Sequence, residues 1–309
     1  MDKIKRAIVT GGTGVLGNAL INELVSLNIE VLVLVRKNGR IQNIPSHPLV
    51  KTEICALEDI GKFTVPKEKY DVFFHLAWNG TYGESRNDSS IQEKNVEYTL
   101  DAVTLAYKSG CKKFVGVGSQ AENGVLKNGE KISPESPENP VSAYGKAKLR
   151  AGKESRKLCG ELGVLHNWCR VISVYGPYDA PHTMVMSTLI KMLQNADCDF
   201  TPAEQQWDYM FSGDGAKAIL KIAEKGKNNK TYVIGSGKSD SLRNYILKMV
   251  KVTETTAKCR FGALEYYPNQ PMYLCADIKN LTDDTGFLPE TEFEKGIEKT
   301  INYIRSNLV

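Results

Sequence analysis

Short apolar runs alternate with amphipathic stretches through the first half of the chain. RAIVT (6–10), EVLVLVR (30–36), VKTEIC (50–55), VFFHLA (72–77), KFVGVGS (113–119) and WCRVISVY (168–175) read as strands. Their near-continuous apolar content is that of strands buried on both faces, as in a parallel sheet covered by helices. Between them, apolar positions at helical spacing predict helices over about 14–27, 91–109 and 144–162. This alternation predicts an α/β fold built on a doubly wound parallel sheet. After about residue 175 the regularity weakens, although TYVIGSG (231–237) reads as one more buried strand returning to the sheet. The expected organisation is a main α/β domain over 1–175, with a return segment at about 207–237, and a smaller C-terminal lobe over 176–309. The helix at 91–109 carries apolar residues on two faces, Val96, Leu100, Val103 and Tyr107 on one and Ala102, Leu105 and Ala106 elsewhere. One face covers the sheet; the other packs on a neighbouring helix or in a second subunit, so a homodimer is expected.

Composition narrows the class. Of 309 residues, 41% are hydrophobic and 25% charged, which is the balance of a soluble globular chain. No run approaches the ~20 apolar residues of a membrane span, and MDKIKRAIVT is too short and polar for a signal peptide. The net charge of +4 comes without a basic stripe interleaved with aromatics, so neither nucleic acid nor membrane is an expected partner. Seven cysteines, odd in number and without a C-x-x-C pair, point to reduced thiols and a cytoplasmic protein. The four histidines have no metal-ligand spacing, and no metal site is expected.

VTGGTGVLG (9–17) follows the first strand and opens the first helix. Gly11, Gly14 and Gly17 there supply a tight turn, close backbone approach and close helix–strand packing, with the helix N-terminus aimed at a pyrophosphate. This is the signature of a Rossmann-type dinucleotide site. The second strand ends in Val35, Arg36 and Lys37, where an NAD-preferring site usually has a carboxylate for the ribose 2′-hydroxyl. A guanidinium grips a 2′-phosphate, so NADP(H) is preferred over NAD(H). SAYGKAKLRAG (142–152) starts a helix that puts Tyr144 and Lys148 on one face. An ammonium beside a phenol favours the phenolate, and Tyr144 becomes a candidate proton donor to a carbonyl.

Together the glycine turn, Ser119 at a strand end and Tyr144-x-x-x-Lys148 resemble the short-chain dehydrogenase/reductases. Within them the chain is similar to the extended, sugar-nucleotide epimerase/dehydratase/reductase branch. The resemblance runs through HLAW (75–78), NVEYTLDAV (95–103), RVISVYGP (170–177), WDYMFSGDGAKAIL (207–220) and GFLPETEFEKGIEKTI (286–301). It implies that Ser119, 25 positions before Tyr144, hydrogen-bonds the substrate oxygen that Tyr144 protonates. It implies that Lys148 binds the nicotinamide ribose and that Arg36 holds the 2′-phosphate. Thr13, Val15 and Leu16 complete the phosphate turn, Leu76 and Ala77 pass beside the cofactor, and Leu57 offers backbone groups to the adenine. Trp78, Gln120, Ser173, His182 and Trp207 are the expected substrate contacts.

The same resemblance speaks to reaction type. The family's 4,6-dehydratases carry Asp-Glu directly after the Ser/Thr, and here those positions are Gln120 and Ala121, which exclude acid/base elimination; Glu122 lies one position beyond. Reduction and 4-epimerisation remain. Arg36 and the similarity of GSQAENG (118–124) with WDYMF (207–211) to 4-keto-6-deoxyhexose reductases favour NADPH-dependent reduction of a nucleotide-linked 4-keto sugar, as in deoxysugar and surface-polysaccharide synthesis. A non-catalytic NADP-binding protein is the lesser alternative, because it needs no Ser119, Tyr144 and Lys148 together. Trp207 and YYPNQ (266–270) stand where diphosphate-binding arginines are usual, leaving Lys191, Lys238, Lys258 or Arg260 to compensate.

Overall fold

The computed structural model describes residues 3–65, 69–127, 129–268 and 270–307; Asn269 of YYPNQ lies outside them. In chain order the first half runs β1 (Arg6–Thr10), α1 (Val15–Ser26), β2 (Glu30–Val35), β3 (Val50–Ile54), β4 (Val72–His75), α2 (Ser89–Lys108), β5 (Lys113–Ser119), α3 (Ala143–Leu162) and β6 (Leu165–Val171). There follow β7 (Val174–Tyr175), α4 (Met184–Leu193), β8 (Cys198–Phe200), β9 (Gln206–Trp207), β10 (Met210–Phe211), α5 (Ser212–Lys225) and β11 (Lys230–Ile234). The chain ends with β12 (Asp240–Ser241), α6 (Leu242–Thr253), β13 (Cys259–Phe261), β14 (Tyr273–Leu274), α7 (Lys279–Thr285) and α8 (Phe293–Asn307).

Among the described residues, seven strands make one parallel sheet in the order β11-β6-β5-β4-β1-β2-β3. The order reverses direction at β1, which opens a crevice at the carboxyl ends of β1 and β4. Alternation along each strand feeds two cores. Ala7 and Val9 of β1, Val31 and Val33 of β2, and Val72 and Phe74 of β4 pack with Leu20 and Leu24 of α1 and Ile219 and Ile222 of α5. Ile8, Leu32 and Phe73 face the other way, with Ala102 and Ala106 of α2 and Cys159 of α3. The doubly wound sheet expected from the apolar runs is the one observed, including the return of β11 to β6.

Two strand expectations need correction. VKTEIC does not form a buried strand, because β3 is the sheet's last strand and Lys51, Thr52, Glu53 and Ile54 are exposed. WCRVISVY is not one strand either. The chain leaves the sheet after Val171, and β7 pairs instead with β10, where Met210 N donates to Ser173 O at 2.9 Å. The second apolar side of α2 is covered within the chain, since Val96 packs with Ala147 and Ala151 of α3. Tyr107 of the same stripe is exposed.

Beyond β6 a third cluster gathers Tyr175, Met186, Leu189, Phe211, Tyr245, Phe293 and Ile297. Leu281 and Phe287 pack instead with the sheet core, so the C-terminal stretch serves both regions. All seven cysteines are free. No helix among the described residues is long and apolar enough to cross a membrane.

The core contains two buried histidines. His75 ring nitrogens meet Thr10 Oγ1 at 3.0 Å and Thr99 Oγ1 at 3.4 Å, and His166 Nε2 meets Ser155 Oγ at 3.0 Å. Burial pushes both down to about 3, so both are neutral in the folded chain at neutral pH. The unfolded chain takes up these protons near 6.5 and binds more of them between about 3 and 6.5. Stability therefore falls as pH drops through that window, by at most about 1.4 kcal/mol per pH unit per histidine. Thermal unfolding across that range should show the slope, and His166→Gln should lose part of it. An unchanged slope in the variant would show that His166 is not a buried neutral group.

Candidate active site

The turn between β1 and α1 is built by its glycines. Gly11 has φ +75°, and a Cβ on it would lie 2.7 Å from Ala77 N and 2.8 Å from Leu76 C. Only glycine allows this approach to the end of β4. A Cβ on Gly17 would lie 2.2 Å from Gly11 O, so α1 rests directly on the turn. One on Gly14 would meet only Gly11 O, at 3.8 Å. No side chain caps α1 and no acidic residue sits in its first turn. Its N-terminal N–H groups and dipole are thereby left for an anion, and the turn fits a dinucleotide pyrophosphate.

A cleft of about 560 Å³ opens over this turn. Gly11, Thr13, Gly14, Arg36, Leu57, Leu76, Ala77 and Trp78 of the sequence-derived residues line it, while Val15, Leu16, Gly17, Ser119, Tyr144 and Lys148 do not. Leu16 packs against the sheet core. Arg40 and Glu58, which the motifs did not single out, also line the cleft. No ion pair holds Arg36 or Arg40 among the described residues.

Beside Trp78 stand Ser119, Tyr144 and Lys148. Ser119 ends β5, and Ser142 caps α3 by accepting from Gly145 N at 3.0 Å, which places Tyr144 and Lys148 in its first turns. Ser119 Oγ accepts from Ala121 N at 3.2 Å, and the serine acts to pull down the pKa of the Tyr144 phenol. Lys148 Nζ donates to Val117 O at 2.7 Å and lies 3.7 Å from the Trp78 ring centroid. The Trp78 ring meets Tyr144 edge-on at 6.1 Å. Two amides of α2 hold the loop that carries Trp78. Gln92 accepts from Trp78 Nε1 at 2.8 Å and donates to Gly80 O and Ser85 O; Asn95 bonds both backbone groups of Asn79.

The charge relations differ from those expected of the Tyr-x-x-x-Lys spacing. Burial raises the Tyr144 phenol above its usual value, and the groups that pull it back are Ser119 and Arg86. Arg86 lies with its guanidinium 4.2 Å from the Tyr144 ring centroid and donates to Thr81 O at 2.9 Å. Lys148, itself pushed down to about 7 by burial, directs its ammonium at Val117 and Trp78. Arg86 is the residue that sequence reasoning missed, because it sits in the aperiodic stretch GESRND with no spacing to tie it to Tyr144.

Glu122 faces away from the cleft. Its carboxylate accepts from Ser119 N, Trp168 Nε1 and Arg170 Nε, so it is not available as an acid or base. Gln120 opens the short turn before it and is half-buried. Of the other expected substrate contacts, Trp207 Nε1 donates to Ser173 Oγ at 2.9 Å, making these two a pair. His182 is exposed and meets Tyr82, a cleft residue, edge-on at 4.2 Å. Arg260 does not serve as a spare cation, since Asp199 and Asp197 hold it at 2.5 and 2.8 Å.

These elements have counterparts among known proteins. Residues 7–235 match the NAD dependent epimerase/dehydratase family. A putative UDP-glucose 4-epimerase of Methanocaldococcus jannaschii is 28% identical over 311 residues, covering 97% of this chain and 98% of the relative. A CDP-abequose synthase of Salmonella muenchen is 26% identical over 316 residues, covering 98% and 99%. A dTDP-D-glucose 4,6-dehydratase of Mus musculus is 23% identical over 336 residues, covering 98% and 89%. The solved UDP-N-acetylglucosamine 4-epimerase of Methanobrevibacter ruminantium M1, in complex with UDP-N-acetylmuramic acid, shares the fold. Its TM-score is 0.88 over 99% of this chain and 100% of that one, at 21% identity. The matched span runs from β1 to the end of β11 and contains the glycine turn, Ser119, Tyr144 and Lys148; the chain belongs to the NAD dependent epimerase/dehydratase family, within the extended short-chain dehydrogenase/reductases.

Proposed function

We propose that the protein reduces the 4-keto group of a nucleotide-linked 4-keto-6-deoxyhexose with NADPH. The observation that carries this reading is the pair of guanidiniums, Arg36 and Arg40, lining the cofactor cleft without a carboxylate partner. Such a pair suits the doubly charged 2′-phosphate. The bound dinucleotide would supply hydride to the carbonyl carbon. Tyr144 then donates its phenolic proton to the carbonyl oxygen, and Ser119 hydrogen-bonds that oxygen through its hydroxyl. Lys148, four residues along α3, binds the nicotinamide ribose from its seat on Trp78. Gly11, Gly14 and the α1 N-terminus hold the pyrophosphate, and Arg36 and Arg40 the 2′-phosphate.

Elimination of water finds no support, because Gln120 and Ala121 carry no ionisable group and the Glu122 carboxylate is engaged by three donors. The second reading is 4-epimerisation with retained NAD. It is favoured by the epimerases among the relatives and by a Ser–Tyr–Lys set that serves either direction of hydride transfer. The experiment is NADPH oxidation with CDP-, TDP-, GDP- and UDP-4-keto-6-deoxyhexoses. One mole of NADPH consumed per mole of one sugar supports the reductase. No consumption, with tightly held NAD and isomerisation of a 4-hydroxyl sugar, overturns it.

A further inference from the structure

Glu122 is 1% exposed, yet it is an ionisable side chain that the proposed chemistry does not use. Its Oε1 accepts from Ser119 N at 2.7 Å and from Trp168 Nε1 at 3.0 Å; its Oε2 accepts from Arg170 Nε at 3.0 Å. The network continues outward, from Arg170 to Glu138 at 3.4 Å and from Glu138 to Lys153 at 2.7 Å. A Cβ on Gly118 would lie 2.2 Å from both Glu122 Oε1 and Trp168 Nε1, so β5 carries a glycine where the carboxylate lies against it. Burying such an ion pair carries a large desolvation penalty, and apolar packing would fill the space at less cost. Simple filling of the core does not account for it.

We propose that Glu122 is a positioning residue, anchoring the Ser119 backbone to β6 so that the serine hydroxyl is held on Tyr144. The anchor is direct. Ser119 is gripped at its N–H by Glu122 at 2.7 Å while its Oγ accepts from Ala121 N at 3.2 Å, so the carboxylate and the turn together fix the serine. The far end is fixed on β6 through Trp168 and Arg170, which belong to the strand beside β5. The charges around Glu122 are Arg170 from β6, Tyr144, Lys148 and Arg156 from α3, and Glu138 through Arg170. Its negative charge favours the Lys148 ammonium and opposes the Tyr144 phenolate, so removing it lowers the pKa of both.

This rests on the Ser119–Tyr144–Lys148 assignment, and the test separates the two. Full-length Glu122→Gln and the double variant Glu122→Met/Arg170→Met are compared with the parent. The double variant removes both buried charges together and so avoids leaving Arg170 unpaired. Hydrogen exchange at the Ser119 amide should accelerate roughly 10- to 100-fold in the double variant, the loss of one charge-assisted hydrogen bond. Its kcat should fall about tenfold or more with KM for NADPH unchanged, and the pH profile of kcat should move to lower pH. The proposal is overturned if the double variant is as stable as the parent and its Ser119 exchange, kcat and pH profile are unaltered. It is equally overturned if exchange alone accelerates, since Glu122 would then only stabilise the fold. Should the parent reduce no sugar nucleotide, the function proposed above fails, and the anchor is then decided by Ser119 exchange together with the Tyr144 titration followed by NMR, both of which must change in the double variant.

Discussion

Tyr144→Phe should lower kcat by about 10²–10⁴, the range of a lost general acid, while leaving NADP(H) binding near that of the parent. The substitution removes one oxygen and little else. The ring keeps its contacts, with Arg86 4.2 Å from its centroid and Trp78 edge-on at 6.1 Å, and α3 keeps its Ser142 cap. The oxygen removed is the one whose pKa Ser119 and Arg86 both pull down. Steady-state turnover together with cofactor titration by fluorescence checks this. Retention of more than about a tenth of the parent rate would remove Tyr144 from the proton-donor role. A protein that only senses NADP would keep its binding behaviour in the same variant, and its parent would show no turnover to lose.

Arg36→Ser should weaken NADPH by roughly 10- to 100-fold while changing NADH little, the worth of a charge-assisted contact to a 2′-phosphate. Arg36 follows the last residue of β2 and lies on the cleft wall with Gly39 and Arg40. Its backbone carbonyl already accepts from Gly39 N at 2.8 Å, so the loop keeps its turn when the side chain is shortened. Arg40 remains in the variant, which is why the loss is set below complete. Competition between the two nucleotides measured in parent and variant gives the ratio directly. Equal loss for NADPH and NADH would mean that Arg36 acts on the shared parts of the cofactor, and the NADP(H) preference would lose its basis.

The parts of the site that could be read from sequence are those encoded in short spacings. Gly11, Gly14 and Gly17 announce the turn because backbone approach demands them within seven residues, and Tyr144 and Lys148 fall on one face because a helix repeats every ~3.6 residues. Where partners come from distant segments, spacing is silent. Nothing in GESRND indicates that Arg86 reaches a tyrosine 58 positions on, nor does AEN indicate that Glu122 finds Arg170 48 positions on. Ser119 and Glu122 also make a capping box, a local pattern that the sequence reading passed over. Lys148 shows the limit of reasoning from charge. Its spacing from Tyr144 suggests a depressed phenol, but burial acts on both groups, and the ammonium turns to a carbonyl and an indole instead.

The strand errors have separate origins. Apolar content marks β2 and β4 as buried, whereas β3 lies at the sheet edge and carries Lys51, Thr52 and Glu53, polar positions that set it apart from the other strands. In WCRVISVY the apolar run continues through the point where the chain changes sheets, because Val171 and Val174 both pack against the sheet core while Tyr175 is buried in the third cluster.

The most direct measurement of the central claim follows deuterium from NADPH labelled at nicotinamide C4 into the sugar. Incubated with the 4-keto-6-deoxyhexose nucleotide that the enzyme accepts, it should leave one deuterium at sugar C4 for each NADPH oxidised, and Tyr144→Phe should leave none. Sugar isomerised at C4 without NADPH consumption and without deuterium would contradict the account and place the protein among the epimerases.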